Sequence, residues 1–151
     1  PTTSGGSSGG SGNTGTSTPT SGGTWLRPCS YTYMSSPFGF RTSPTAGASS
    51  YHQGVDLAAP ANTPVYATRS GIVTANTYSG SAGNYITINH GDGFSSIYMH
   101  LSNYCVSAGQ MVSAGQQIGT TGATGVATGD HLHFGIAVNG VYVNPCNYVA
   151  L

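Results

Sequence analysis

DHLHFGIAVNGVYV, residues 130–143, sets Leu132, Phe134, Ile136 and Val138 in alternation with His131, His133, Gly135 and Ala137. A period of two marks a strand with one face in a core and the other turned away from it. Asn139-Gly140 then reads as a two-residue hairpin turn, and Val141–Val143 as the returning strand. The same texture fills the chain beyond Trp25. Val65–Thr68, Ile72–Tyr78, Tyr85–Asn89 and Phe94–Leu101 are rich in β-branched and aromatic residues, separated by Ser70-Gly71 and Gly91-Asp92-Gly93. No window shows a helical apolar period, so the sequence predicts an all-β domain. A near-repeat, VSAGQ at 106–110 and 112–116, suits paired short strands with Gly turns, as in lipoyl and biotinyl carriers. Those carriers need an acceptor lysine, and this chain has none.

Strand parity sorts the five histidines. His131 and His133 share a face with Gly135 and Ala137, whose small side chains leave room for a ligand. In Phe94–Leu101 the expected apolar face is Ile97, Met99 and Leu101, which puts His100 on the other side with Tyr98 and Ser96. His90 has the parity of Ile86 and Ile88 and reads as a hydrogen-bonded structural histidine. In YHQGVDLAAP, residues 51–60, Gly54, Val55 and Pro60 argue against a helix. An extended or turning segment would point Val55 and Leu57 inward and His52 and Asp56 outward.

Zinc takes imidazole and carboxylate ligands, and a catalytic site uses three of them with one position left for water. His52, Asp56 and one of His131 and His133 would make such a set, the choice between the pair being open on parity alone. The chain has no glutamate, which excludes the His-Glu-x-x-His protease helix. Any acid/base in such a hydrolase must then be histidine or aspartate, with His100 and the spare histidine of the pair as candidates.

Composition narrows the rest. Charged residues make up 4% of the chain, against ~25% in ordinary domains. Net charge is zero, so nothing offers nucleic acid or an anionic membrane a basic surface. No apolar run approaches the ~20 residues of a membrane span, and no signal peptide is visible, so an exported chain is expected to be a mature fragment. Residues 1–23 hold 8 Gly, 6 Ser and 6 Thr, and residues 1–24 read as a disordered linker of roughly 25–30 Å reach. The folded domain is expected over 25–151. Cys29, Cys105 and Cys146 allow one disulfide, with Cys105–Cys146 the expected pair and Cys29 the competing partner.

YHQGVDLAAP, VYATRSGIV, NYITINHGDGFSSIYMHLS and GQQIGTTGATGVATGDHLHFGIAVNGVYVNP, in this order and spacing, resemble the lysostaphin-type (LytM-type) zinc endopeptidases. The likeness covers roughly residues 37–149, with SPFGFR at 36–41 as its lead-in. It implies a small antiparallel β fold with an active-site groove across one sheet, flanked by loops such as Ser79–Asn84 and Gly119–Gly129. It implies one Zn²⁺ held by His52, Asp56 and His133, with His100 and His131 as the catalytic histidines. The implied substrates are peptide bonds of bacterial peptidoglycan, and the implied protein is a secreted or wall-associated monomer. Where members commonly carry Glu after His-Leu-His-Phe, this chain has Gly135, a departure that bears on substrate contacts or on the support behind the ligands rather than on ligation itself. A non-catalytic regulator of other wall hydrolases is the alternative from another class; such relatives usually lack ligands that are all present here. A bacteriocin or phage-tail lysin would share the chemistry.

Overall fold

A computed structural model describes residues 25–40, 51–125, 127 and 129–151. The expected linker lies outside the described residues. The regular structure of the described residues is almost all strand: β1 Tyr33–Ser36, β2 Gly39–Phe40, β3 Tyr51–His52, β4 Val55–Ala58, β5 Pro64–Tyr66, β6 Gly71–Ser79, β7 Gly83–Gly91, β8 Phe94–Tyr104, β9 Met111–Val112, β10 Gln117–Thr121, β11 His131–Val138 and β12 Val141–Val143. One 3₁₀ turn, Pro145–Asn147, follows. The fold is all-β, as the sequence predicts.

Ten strands form one antiparallel sheet, in the order β9-β6-β7-β8-β11-β4-β1. Strand β10 pairs with both β8 and β5, and β12 extends from β11; β2 and β3 make a separate ribbon. The turns obey their residues. Asn139 and Gly140 both have positive φ, as do Asp92 and Gly93, the pattern that lets a two-residue loop follow the twist of its strands. The VSAGQ repeat is a repeat of turns. Gln110 N–H donates to Ser107 O and Gln116 N–H to Ser113 O, both at 3.0 Å. Each Gln side chain reaches back to accept its serine's N–H, and Gly109 and Gly115 take positive φ.

Leu57, Ile86, Ile88, Tyr98, Leu101, Leu132, Phe134 and Ile136 are fully buried on one side of the sheet, with Val65 and Ile118. Each such aliphatic side chain stabilises the fold by about 1.5–3 kcal/mol. Phe134 opposes Tyr98, and Tyr98 opposes Ile86, so the core row crosses three strands.

That row corrects the predicted parity of β8. Tyr98 and Ser96 belong to the core face, and Met99 and Ile97 to the face of His133 and Gly135. The core accepts the polar pair because it is fully bonded. Tyr98 Oη takes the Thr68 N–H at 3.1 Å and lies 2.7 Å from Ser96 Oγ. A bulge then intervenes. Three steps from Tyr98 to Leu101 match two from Ile86 to Asn84, and His100 sits at φ 65°. The extra residue returns Leu101 to the core and turns His100 out of the alternation.

His90 is the structural histidine that the sequence suggests. Its Nδ1–H donates to Ser70 O at 2.8 Å, Nε2 lies 2.7 Å from Ser96 Oγ, and Trp25 packs edge-on at 5.1 Å. Burial, helped by the Arg69 charge, pushes its pKa down to about 4. The unfolded chain therefore binds this proton more readily, and stability falls as pH drops through the ordinary histidine range. His90→Gln, studied with chelator present, is expected to flatten that fall by about 2–3 kcal/mol between about pH 7 and pH 4.5. Denaturant melts across that range check it; equal slopes in both proteins refute it.

The cysteines correct the disulfide expectation: Cys29 is buried, Cys105 and Cys146 are exposed, and all three are free.

Candidate metal centre

Strand β11 lies between β4 and β8, and register alone places Asp56 opposite His133. His52 arrives from the β2–β3 ribbon, opposite Gly39. Its Nδ1–H donates to Pro37 O at 2.9 Å, which turns Nε2 inward. His52 Nε2 lies 3.1 Å from Asp56 Oδ1 and 3.0 Å from His133 Nδ1, and His133 Nδ1 is 3.1 Å from the same carboxylate oxygen. All three side chains are nearly buried.

The set fits a zinc ion on two counts. Bonds of about 2.0 Å around a tetrahedral metal put ligand atoms about 3.3 Å apart, close to the observed triangle. The second count concerns lone pairs. With Nδ1–H donated to Pro37 O, His52 turns Nε2, the ring nitrogen left for a ligand, toward the carboxylate and His133 Nδ1, so three donor atoms converge on one point. Burial opposes charge on Asp56, but hydrogen bonds and attraction from His133 and His52 outweigh it and hold the carboxyl well below its ordinary range. Burial lowers His133, with Asp56 opposing. Asp56 is thus held as the anionic carboxylate that a zinc ligand must be.

His131 and His100 stand beside the triangle. His131 donates Nδ1–H to Gly129 O at 2.8 Å, and its Nε2 is 3.6 Å from Asp56 Oδ1. His100 donates Nδ1–H to Thr124 O at 2.7 Å, and its ring centre is 4.8 Å from that of His131. Burial, against the Thr124 bond and alongside the neighbouring histidines, pushes the His100 pKa down to about 4. Both rings thus present a bare Nε2. The structure brings together all five residues expected from the sequence: His52, Asp56 and His133 in the triangle, His100 and His131 flanking it.

Some contributors were not foreseen. Pro37, Thr124 and Gly129 act through backbone carbonyls, which carry no sequence signal. The sequence marks Gly54 only as a helix breaker. A Cβ there would lie 2.4 Å from Phe134 O and 2.8 Å from His133 Nε2, so the His133 ring rests directly on this glycine.

An antiparallel β sheet that carries a buried His₂Asp triangle flanked by two further histidines is the arrangement that the lysostaphin-type resemblance implies. Residues 50–145 match the model of peptidase family M23, and the chain belongs to that family. It is 42% identical over 124 residues to the DD-carboxypeptidase/endopeptidase Mpg of Neisseria meningitidis, covering 82% of this chain and 29% of that protein. Among solved structures, a zinc-containing peptidase from Vibrio cholerae superposes with TM-score 0.71 at 38% identity, covering 77% of this chain and 36% of that one. The catalytic domain of the antimicrobial peptidase lysostaphin from Staphylococcus simulans superposes at 0.69 with 36% identity, covering 75% of this chain and 88% of that domain. The chain thus spans less than a third of the neisserial relative and most of the isolated lysostaphin domain.

Proposed function

We propose that the chain is a zinc-dependent endopeptidase that hydrolyses peptide bonds in bacterial peptidoglycan, in cross-bridges or stem peptides. Residues 25–151 would be its catalytic domain, residues 1–24 a linker, and the wall or the extracellular space its place of action. The observation that carries this reading is the ligand triangle with two bare imidazole nitrogens beside it. The likeness to a DD-carboxypeptidase/endopeptidase supports the substrate class.

In this reading His52, Asp56 and His133 hold one zinc ion. When bound, the ion supplies a Lewis acid for the scissile carbonyl and acidifies water. His131, kept in its Nδ1–H form by Gly129, accepts at Nε2 the proton of the attacking water. His100, held in the same form by Thr124, must take a proton before it can give one. Its tautomer therefore suits delivery to the departing amine better than a standing oxyanion donor. Met99 and Ile97 sit opposite His133 and Gly135 on the neighbouring strand, on the same sheet face.

Digestion of purified sacculi with different cross-bridges, with and without chelator, tests the reading, and mass spectrometry of the released peptides names the bond. Chelator-sensitive release from at least one wall type is expected. No release from any wall would overturn it in favour of a non-catalytic regulator.

A further inference from the structure

We infer that Thr124 is a positioning residue for His100, whose hydroxyl locks the backbone carbonyl that sets the tautomer of that histidine. The inference rests on the role proposed above for His100.

His100 occupies the β8 bulge at φ 65°, a conformation that costs a non-glycine residue about 1–2 kcal/mol. Two bonds hold it there. Its backbone N–H donates to Ala82 O at 2.8 Å, and its ring Nδ1–H to Thr124 O at 2.7 Å. The ring bond is useful only if the Thr124 carbonyl stays in place. Thr124 Oγ1 sees to that by donating to Leu101 O at 2.8 Å and accepting the Asn84 N–H at 3.0 Å. Leu101 follows His100 in the chain, and Asn84 is its register partner on β7. One hydroxyl therefore ties together both strands at the bulge and the loop that carries the acceptor.

The two loops meet here without slack. A Cβ on Gly83 would lie 2.3 Å from Thr124 Oγ1, and one on Gly125 2.3 Å from Gly83 N. Thr121, nearby in sequence, serves a different purpose: its hydroxyl donates to Pro60 O and receives the Thr63 N–H. Loss of the Thr124 hydroxyl frees the carbonyl, and with it the tautomer of His100. A ring protonated at Nε2 can no longer accept a proton from the reaction.

Thr124→Val keeps the shape and removes both hydroxyl bonds; Thr124→Ser keeps both bonds. In zinc-loaded protein, ¹⁵N–¹H imidazole spectra, with the His100 signals identified by their loss in His100→Gln, report the tautomer without any need for turnover. The Nδ1–H form is expected in the parent and in Thr124→Ser, and a mixture with Nε2–H in Thr124→Val. Turnover of Thr124→Val is expected to fall about 10- to 100-fold in kcat with KM little changed, and Thr124→Ser to restore most of it. Should Thr124→Val fold poorly, the parent and Thr124→Ser spectra still decide: a parent His100 in the Nε2–H form overturns the inference. So does a folded Thr124→Val that retains the Nδ1–H form, whatever its activity. A parent with the expected tautomer but no chelator-sensitive hydrolysis would overturn the proposed function and leave this hydrogen-bond relay standing.

Discussion

His133→Ala is expected to lose both zinc and activity, whereas His131→Ala should keep its full complement of zinc and lose about 10²- to 10⁴-fold in kcat. The two residues are neighbours on one strand face, both nearly buried, and differ by a small displacement. His133 Nδ1 closes the triangle at 3.1 Å from Asp56 Oδ1 and 3.0 Å from His52 Nε2; His131 Nε2 stays 3.6 Å from that carboxylate. Removing His133 leaves two protein ligands, too few for a tetrahedral catalytic site. Removing His131 leaves the triangle whole and takes away a proton acceptor. Metal analysis of the two purified variants, alongside peptide release from sacculi, checks the division. Equal zinc content in both would sink it.

Gly54→Ala is expected to destabilise the protein by about 3 kcal/mol or more and to weaken zinc binding at the same time. The new methyl would press on the Phe134 backbone carbonyl and on His133 Nε2. A flexible side chain tip could swing aside, but a carbonyl in the middle of β11 cannot without breaking its pairing with β4. Strain would therefore spread into the strand that carries a ligand. Denaturant melts of the metal-free protein measure the first effect and zinc titration the second. Unchanged values in both would show that the β3–β4 turn yields without cost.

Much of this molecule is legible in local pattern. The period of two in 131–138 places Leu132, Phe134 and Ile136 in the core and the histidine pair on the reverse, and the structure agrees. Asn139-Gly140 turns as its residues require, because few residues other than Gly and Asn accept positive φ readily. The strands β1, β2, β3, β9 and β10 were harder to see. They are short or irregular, and only pairing with distant partners makes them strands at all.

His100 shows where pattern reading breaks down. Parity in β8 led to the correct side of the sheet through an inverted assignment, with Met99 taken as core and Tyr98 as exposed. Two deviations cancel: a polar Tyr98 and Ser96 buried in a bonded network, and a bulge that shifts His100 by one position. Neither leaves a mark in composition, since a bulge is settled by the strands on either side.

Residue types and spacings were thus enough for the all-β class, for the main core row of β11 and for the five polar side chains that the fold gathers at one place. Those features depend on each residue's own hydrophobicity, turn preference and ligand atoms, which travel with the chain. Which nitrogen each histidine presents, how closely His52, Asp56 and His133 approach and why Gly54 and Thr124 matter could come only from the folded molecule. These depend on backbone carbonyls and on register between strands far apart in sequence, and no residue carries that information alone.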